Sequence, residues 1–517
     1  MSLSSKEMIV VLGIAALIFT LAKPIALRFS TEADFSRRRN VWYALTVTAF
    51  LSPSFWLFAL VAIPLMTWAG RKDANPVAFY LLLLQVIPSI PIEIPVFGIN
   101  KLFELDNYRL LSFCVLIPAA WRLRRSRNPE RIHGLQTMDI LLIGYGVLQV
   151  ALFIPPDLPG HVLLHDSSTN MLRRAFLFFV DVYVLYFVVS RSCSNRRAIV
   201  EAQAAFCLAC AVMAATGVFE ELKHWLLYGD FAKGWIDDPR LGFYLFRGDT
   251  LRAQASAGHA LALGYLLAVA FGFWLYLRSH VRTARSRIGV MILLWFGLLA
   301  AYSRGPWIGA ATIYFAFVIL SPRAFPRLVR AAGIIVILAA VVSVTPLASR
   351  ITNVLPFMGG SVDVGTIDYR SRVIEQSWQI IQRHPFFGDQ QAIFKMENLR
   401  QGEGIIDVVN TYAGIALNKG FVGLGIFVCF IVVALVRAYR RTKVLAKSDP
   451  DLALLGVSVV ACILGTLLML ENCSFILAYE KMFYVLAGLA AAYAHLYEAP
   501  VTQAKTSVAR HREWAPR

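Results

Sequence analysis

Residues 259–287 read HALALGYLLAVAFGFWLYLRSHVRTARSR. Positions 259–277 carry no formal charge, and Arg278, Arg282, Arg285 and Arg287 follow at once. An apolar run of about 20 residues matches the hydrocarbon thickness of a bilayer. A cluster of Lys and Arg at its end marks the side of the membrane that is not translocated. The stretch therefore reads as a membrane span with its orientation attached.

The same unit recurs along the chain. Of 517 residues, 58% are hydrophobic and 16% charged, with a mean hydropathy of +0.61. A water-soluble protein of this size needs a more charged surface. The net charge of +18 sits in short blocks between apolar runs: Arg37–Arg39, Arg122–Arg131, Arg278–Arg287, Arg323–Arg330 and Arg437–Lys443. That placement fixes orientation and argues against a nucleic-acid partner. The first run, Met8 to Leu27, lacks a basic leader and a cleavage site and reads as a retained span. Cys207 and Cys210 lie inside a span, where packing is the expected role, and no disulfide framework is implied.

The expected fold is all-α: a polytopic bundle of about 12–15 membrane helices with a large outward loop holding short helices. Spans are placed near 8–27, 41–52, 54–70, 77–98, 109–121, 136–155, 172–190 and 198–217. Further spans follow near 259–277, 288–303, 306–320, 331–347, 409–436, 451–471 and 476–495. The segments are an N-terminal bundle (1–217), an outward loop (218–258), a core (259–347), a large loop (348–408), C-terminal helices (409–495) and a tail (496–517). The basic blocks then share one side, with the N-terminus outside and the C-terminus inside.

Two segments exceed simple connectors. The first, 218–258, contains Glu220, Trp235, Asp237, Asp238, Arg247 and Arg252. The second, 348–408, carries six Lys/Arg and seven Asp/Glu and is near neutral, which suits a translocated loop. Within it, Tyr369–Arg383 predicts an amphipathic helix with Val373, Ile374, Trp378 and Ile381 on one side. Asp368 is the expected N-cap, placing Arg370 in the first turn, and Pro385 is the expected stop.

Arginines mark the candidate site. Ser303-Arg304-Gly305-Pro306 joins two apolar runs with almost no loop. An arginine held there faces either lipid headgroups or a site. Arg247, Arg252, Arg370 and Arg372 lie on the same outward side. A guanidinium fork suits phosphate or diphosphate, although each arginine alone fits a solvated loop. Arg173 and Arg174 belong either to the same patch or to lipid headgroups, the second being the favoured reading.

Taken in order, several motifs resemble the O-antigen ligase and Wzy-type polysaccharide polymerase superfamily over roughly residues 240–495. They are Arg252-Ala-Gln-Ala-Ser-Ala-Gly-His259, Tyr302-Ser-Arg-Gly-Pro-Trp307, and Arg370 with His384-Pro-Phe-Phe-Gly388. Asn410-Thr-Tyr412 with Gly420-Phe-Val-Gly423, and Phe483-Tyr-Val-Leu-Ala-Gly488, complete the set. The resemblance implies a metal-independent, cofactor-free glycosyltransferase of GT-C type in a bacterial inner membrane. Its donor is a polyprenyl-diphosphate-linked glycan taken on the periplasmic face. The acceptor is a second lipid-linked unit in a polymerase, or lipid A–core in a ligase. Protein is the acceptor in a related branch. Membrane lipid and a chain-length regulator are further implied partners.

Arg304, Arg370 and Asp407 become the catalytic candidates, with Arg252, Arg372, Arg247, Asn410 and Tyr412 as substrate-binding candidates. One position departs from the family: a ligase has a histidine before the Asn, and here Val409 precedes Asn410. Asp407 is then the replacement base, or an acidic cap on the next span. The departure favours polymerase over ligase. A lipid or glycan transporter is the rival of another class, but no internal repeat is visible.

Overall fold

A computed structural model describes residues 3–96, 99–125, 132–152, 168–236, 242–247, 250–322, 364–400, 406–475 and 477–496. The expected span 331–347, the Arg323–Arg330 block, and Asp237 and Asp238 lie outside these. The protein is a polytopic bundle of helices with two small hairpins. Among the described residues, five helices are long and apolar enough to cross a membrane. They are α1 (Leu3–Ala26), α10 (Arg196–Lys223), α12 (Ala260–Leu277), α16 (Thr411–Ser448) and α17 (Pro450–Glu471). Two shorter apolar helices accompany them, α7 (Thr137–Ala151) and α14 (Arg304–Leu320).

The stretch 259–277 forms the centre. Every residue of α12 except Leu261 is buried. A helix apolar on all sides must be packed on all sides. Around α12 stand α10, α13 (Ala284–Ala300), α14, α17 and α18 (Leu477–Ala494). Close approach uses small residues, as is usual between membrane helices. Cys207 and Cys210 belong to that surface, their thiols donating to Ala270 O and Leu266 O of α12 at 3.3 and 3.8 Å.

The basic end is stitched by buried ion pairs. Arg38 of α2 (Glu32–Leu51) forks onto Asp73 at 2.6 and 2.9 Å and reaches Glu201 of α10 at 2.9 Å. Arg191 meets Asp139 at 2.6 Å. Arg38, from the Arg37–Arg39 block, is thus also a strut between helices.

One of the expected spans needs correction. The span expected at 77–98 is a short helix, α4 (Pro76–Leu83), followed by a hairpin of β1 (Ile92–Val96) and β2 (Ile99–Leu105). Pro88, Pro91 and Pro95 explain it, since each biases its predecessor to extended geometry. Hydropathy alone could not see this. The spans expected at 41–52 and 54–70 are indeed two helices, α2 and α3 (Phe55–Lys72), separated at Ser52-Pro53 and packed on each other.

The large loop contributes α15 (Val364–Arg383), which ends just before His384-Pro385 as expected. Asp368 lies inside the helix, so it is not the N-cap, and Arg370 is not in the first turn. The buried face is also rotated from expectation. Val373, Ser377, Ile380 and Ile381 are buried, whereas Ile374 and Trp378 are more than half exposed. The buried face packs on Ala392, Met396, Leu399, Val408 and Leu417 as a separate small core.

Backbone docking fixes this loop to α16. The helix breaks at Gly420 (φ 61°), which frees backbone groups on both sides. The turn 385–390 satisfies them. Asp389 N donates to Leu417 O at 2.6 Å, Phe421 N to Pro385 O at 2.7 Å and Val422 N to Phe386 O at 3.1 Å. Gly388 (φ 71°) faces the α16 backbone, and a side chain at Gly420 would collide with the Phe386 carbonyl. The Pro385–Gly388 and Gly420–Gly423 motifs are therefore two halves of one joint. Gly420→Ala should lower stability by about 1–3 kcal/mol through positive-φ strain plus the clash. Gly425→Ala, with nothing near its added methyl group, should change it little. Thermal unfolding of both variants in detergent checks this.

Candidate functional site

The site is assembled from three pieces of backbone at the bundle end opposite the basic blocks. The first is the turn between α13 and α14. Tyr302 has φ 45°, unusual for a residue other than glycine. Arg247 Nη1 donates to Tyr302 O at 3.1 Å, and Trp307 Nε1 donates to Leu298 O at 2.9 Å. Arg252 Nη2 donates to Ser303 Oγ at 2.7 Å, and Ala253 N to Ala300 O at 3.0 Å.

Arg304 begins α14. Its Nε and that of Arg252 are buried and find no hydrogen-bond partner among the described residues. A buried guanidinium N–H without an acceptor is costly. Two of them at a helix N-terminus, where the backbone is itself electropositive, make a site suited to an anion. Burial, followed by the charge of Arg247, holds the Arg252 guanidinium down to about 10. It remains a cation at neutral pH.

Glu220 positions this arginine patch. α10 continues to Lys223, beyond the expected boundary at 217. Its Glu220 carboxylate accepts from Leu227 N at 3.0 Å, Gln254 N at 2.9 Å and Ala255 N at 2.8 Å. The 218–258 segment is thereby fastened where Arg252 must sit.

The second piece is α15. Tyr369 hydroxyl donates to Asp407 O at 3.0 Å and accepts from Asp407 N at 3.2 Å. This latch sets the neighbouring Arg370 relative to Asp407. Arg370 and Arg372 are exposed, and Arg372 Nε donates to Asp368 O at 3.3 Å along its own helix.

The third piece is 406–410. Asp407 Oδ1 accepts from Ser474 Oγ at 2.7 Å and Val409 N at 3.0 Å. The cap of α16 is Asn410, whose Oδ1 accepts from Ala413 N at 3.0 Å. Asp407 is therefore not that cap, and its Oδ2 takes no hydrogen bond among the described residues. Val409 has φ 53°, an outlier for a β-branched side chain. Strain of this kind concentrates at functional sites. Tyr412 is a strut: its hydroxyl donates to Leu467 O at 2.8 Å.

The pieces meet around α12. A side chain at Gly305 would lie 3.0 Å from the Tyr265 hydroxyl. Arg370 and Asp407 both lie within electrostatic reach of that hydroxyl and of the Cys473 thiol. Arg252 and Asp407 both reach His259, the N-cap of α12, whose Nδ1 accepts from Leu261 N at 3.2 Å. Burial, then Arg252, push His259 down to about 4, with Asp407 opposing. It is neutral at physiological pH, with Nε2–H as its remaining donor.

Asp407 and Asn410 also line a cavity of about 660 Å³, together with Tyr145, Arg174, Lys419 and Glu480. That volume is in the range of ligand sites. Arg247, Arg252, Arg304, Arg370, Arg372 and Tyr412 do not line it. The site thus has an arginine side and a carboxylate side, joined through Tyr265 and His259. Tyr369, Ser474, Lys419 and Glu480 carried no sequence signal, since nothing in their local pattern tells a site from a strut. Arg174 is exposed and lines the cavity.

Residues 289–428 match the family model Wzy_C, described as O-antigen ligase. This segment falls in the O-antigen ligase and Wzy-type superfamily. It holds Arg304, Arg370, Arg372, Asp407, Asn410 and Tyr412, while Arg247, Arg252 and His259 lie before it. No curated protein matches the chain.

The neutral His259 has a consequence for acid stability. Its folded value is depressed below the ordinary 6.5. Its contribution is therefore complete above about 6.5 and is lost as pH falls through about 4. His259→Gln should flatten the loss of thermal stability across that window. Unchanged acid sensitivity in the variant would contradict the buried neutral assignment.

Proposed function

We propose that this chain is a membrane glycosyltransferase that polymerises polyprenyl-diphosphate-linked oligosaccharide units on the outward, periplasmic face of a bacterial inner membrane. The observation that carries the reading is a pair of buried guanidinium N–H groups, that of Arg304 at the start of α14 within the segment matching the O-antigen ligase family, and that of Arg252 beside it through Ser303. A diphosphate supplies the acceptor oxygens that these groups lack.

In this reading Arg304 and Arg252 hold the diphosphate, and Arg370 closes on it from the loop helix. Fixed cations stabilise the negative charge that grows as the diphosphate leaves. They do so without a metal ion. The acceptor sugar occupies the cavity beside Asp407. Its hydroxyl oxygen attacks the anomeric carbon, the bond from that carbon to the diphosphate oxygen breaks, and the hydroxyl proton passes to Asp407. Ser474 and the Val409 amide aim the carboxylate, leaving Oδ2 to take the proton. Arg247, Arg372 and Asn410 border these groups as substrate contacts.

The second reading is a ligase acting on lipid A–core or on protein. The family description favours it. Val409 in place of histidine favours polymerase, with Asp407 as base. A transporter of lipid-linked glycan is the third.

Purified protein given a lipid-linked repeat unit alone should yield a ladder of longer products. A ligase would leave the unit unchanged until lipid A–core or an acceptor protein was supplied, and a transporter would leave it unchanged throughout. Arg304→Lys keeps the charge and loses the fork, and should slow the ladder by about 10²–10³-fold, in the range of losing one preorganised donor. Should Arg304→Ala and Arg370→Ala proteins insert normally and still restore polymer in a deletion strain, the arginine clamp is wrong.

A further inference from the structure

We infer that the Phe386–Phe387 turn of the large loop is inserted among lipid acyl chains, so that a loop polar in composition is anchored in the bilayer beside the site. Both residues are exposed, Phe386 at 68% and Phe387 at 55%. Exposure of two adjacent phenylalanines to water is unfavourable, and the apolar area involved has to be covered by something.

Depth on α16 identifies the cover. Below the Gly420 break, α16 carries one continuous exposed apolar stripe: Phe421, Val422, Val428, Val432 and Val436. Phe421, Val428, Val432 and Val436 follow one another at spacings of seven, four and four residues, which keeps them on one helix face, with Val422 at its edge. On a membrane-spanning helix such a stripe faces lipid. Past Val436, Arg437 starts a basic block reaching to Lys443, which belongs at the interface together with the exposed Tyr439.

From Arg437 up to Phe421 at about 1.5 Å per residue is roughly 24 Å. The hydrocarbon core is about 30 Å thick, so Phe421 and Val422 lie inside its far edge. The Phe386 turn is at that same level, because Phe421 N donates to Pro385 O at 2.7 Å and Val422 N to Phe386 O at 3.1 Å. The apolar surface of the turn is continuous with the stripe. Its occupant is the acyl chains of the leaflet opposite the basic blocks.

The joint then does more than fasten the loop. α15 is held between the bilayer, through this turn, and the Asp407 segment, through Tyr369. Arg370 is thereby held at a fixed height above the membrane surface.

The test uses full-length protein in lipid nanodiscs with Cys429, the exposed native cysteine among seven free ones, changed to Ser. Single variants Phe386→Cys and Phe387→Cys carry a nitroxide. Val428→Cys supplies the lipid reference and Lys395→Cys, exposed in the same loop, the water reference. Collision with molecular oxygen, which partitions into hydrocarbon, is compared with collision with a water-soluble nickel chelate. The oxygen-to-nickel ratio at 386 and 387 should be several-fold above that at 395 and close to that at 428. A ratio equal to that at 395 overturns the inference. So does a ratio that becomes lipid-like only after polyprenyl-linked donor is added, which would make the turn part of the substrate path. Two labelled positions guard against one that perturbs the joint. Neither readout depends on the reaction catalysed.

Discussion

The structure turns on a cationic group that the chain itself leaves unanswered. Arg304 opens α14 with a buried Nε that has no acceptor among the described residues, and Arg252, donating to Ser303, has another. Desolvating such groups without partners opposes folding. Much of the surrounding architecture can be understood as holding them in place. Glu220 ties down the segment bearing Arg252, Tyr302 accepts a strained backbone to make the turn tight, and α12 brings Tyr265 against Gly305. The electropositive end of α14 adds to the same field. An anion is the natural completion of this arrangement.

The carboxylate side answers a different demand. Asp407 is held through one oxygen, by Ser474 and the Val409 amide, and the latch from Tyr369 holds its backbone. A general base has to be aimed without being consumed by its own supports. The cavity beside it mixes aromatic and aliphatic side chains with charged and amide ones.

Much of this was legible in the sequence, and the rest failed for identifiable reasons. Span and basic block at 259–287 announced a membrane helix, and α12 is the centre of the bundle. The Ser303-Arg304 turn and the Pro385 stop were local features, and local features survive folding. The 77–98 run failed because hydropathy is blind to three prolines that favour extended backbone. The face of α15 differs because Ile374 and Trp378 share helical spacing with Ile381, and packing against Ala392, Met396, Leu399, Val408 and Leu417 turns the Val373 side inward instead. In the sequence Asp407 fits a base and a cap equally, and the bond from Ala413 N to Asn410 Oδ1 gives the cap to Asn410. His259, Tyr265 and Ser474 come from distant segments, and one sequence carries no trace of their convergence.

The central claim is that the arginine side recognises a diphosphate. Native mass spectrometry of the purified protein with polyprenyl diphosphate and polyprenyl monophosphate tests it without requiring turnover. The diphosphate should bind the wild-type chain more tightly than the monophosphate, and Arg304→Ala should lose that preference by roughly tenfold or more, the scale of one charged hydrogen bond. Equal affinity for the two lipids in the wild-type chain, or a preference that survives Arg304→Ala intact, would contradict the account.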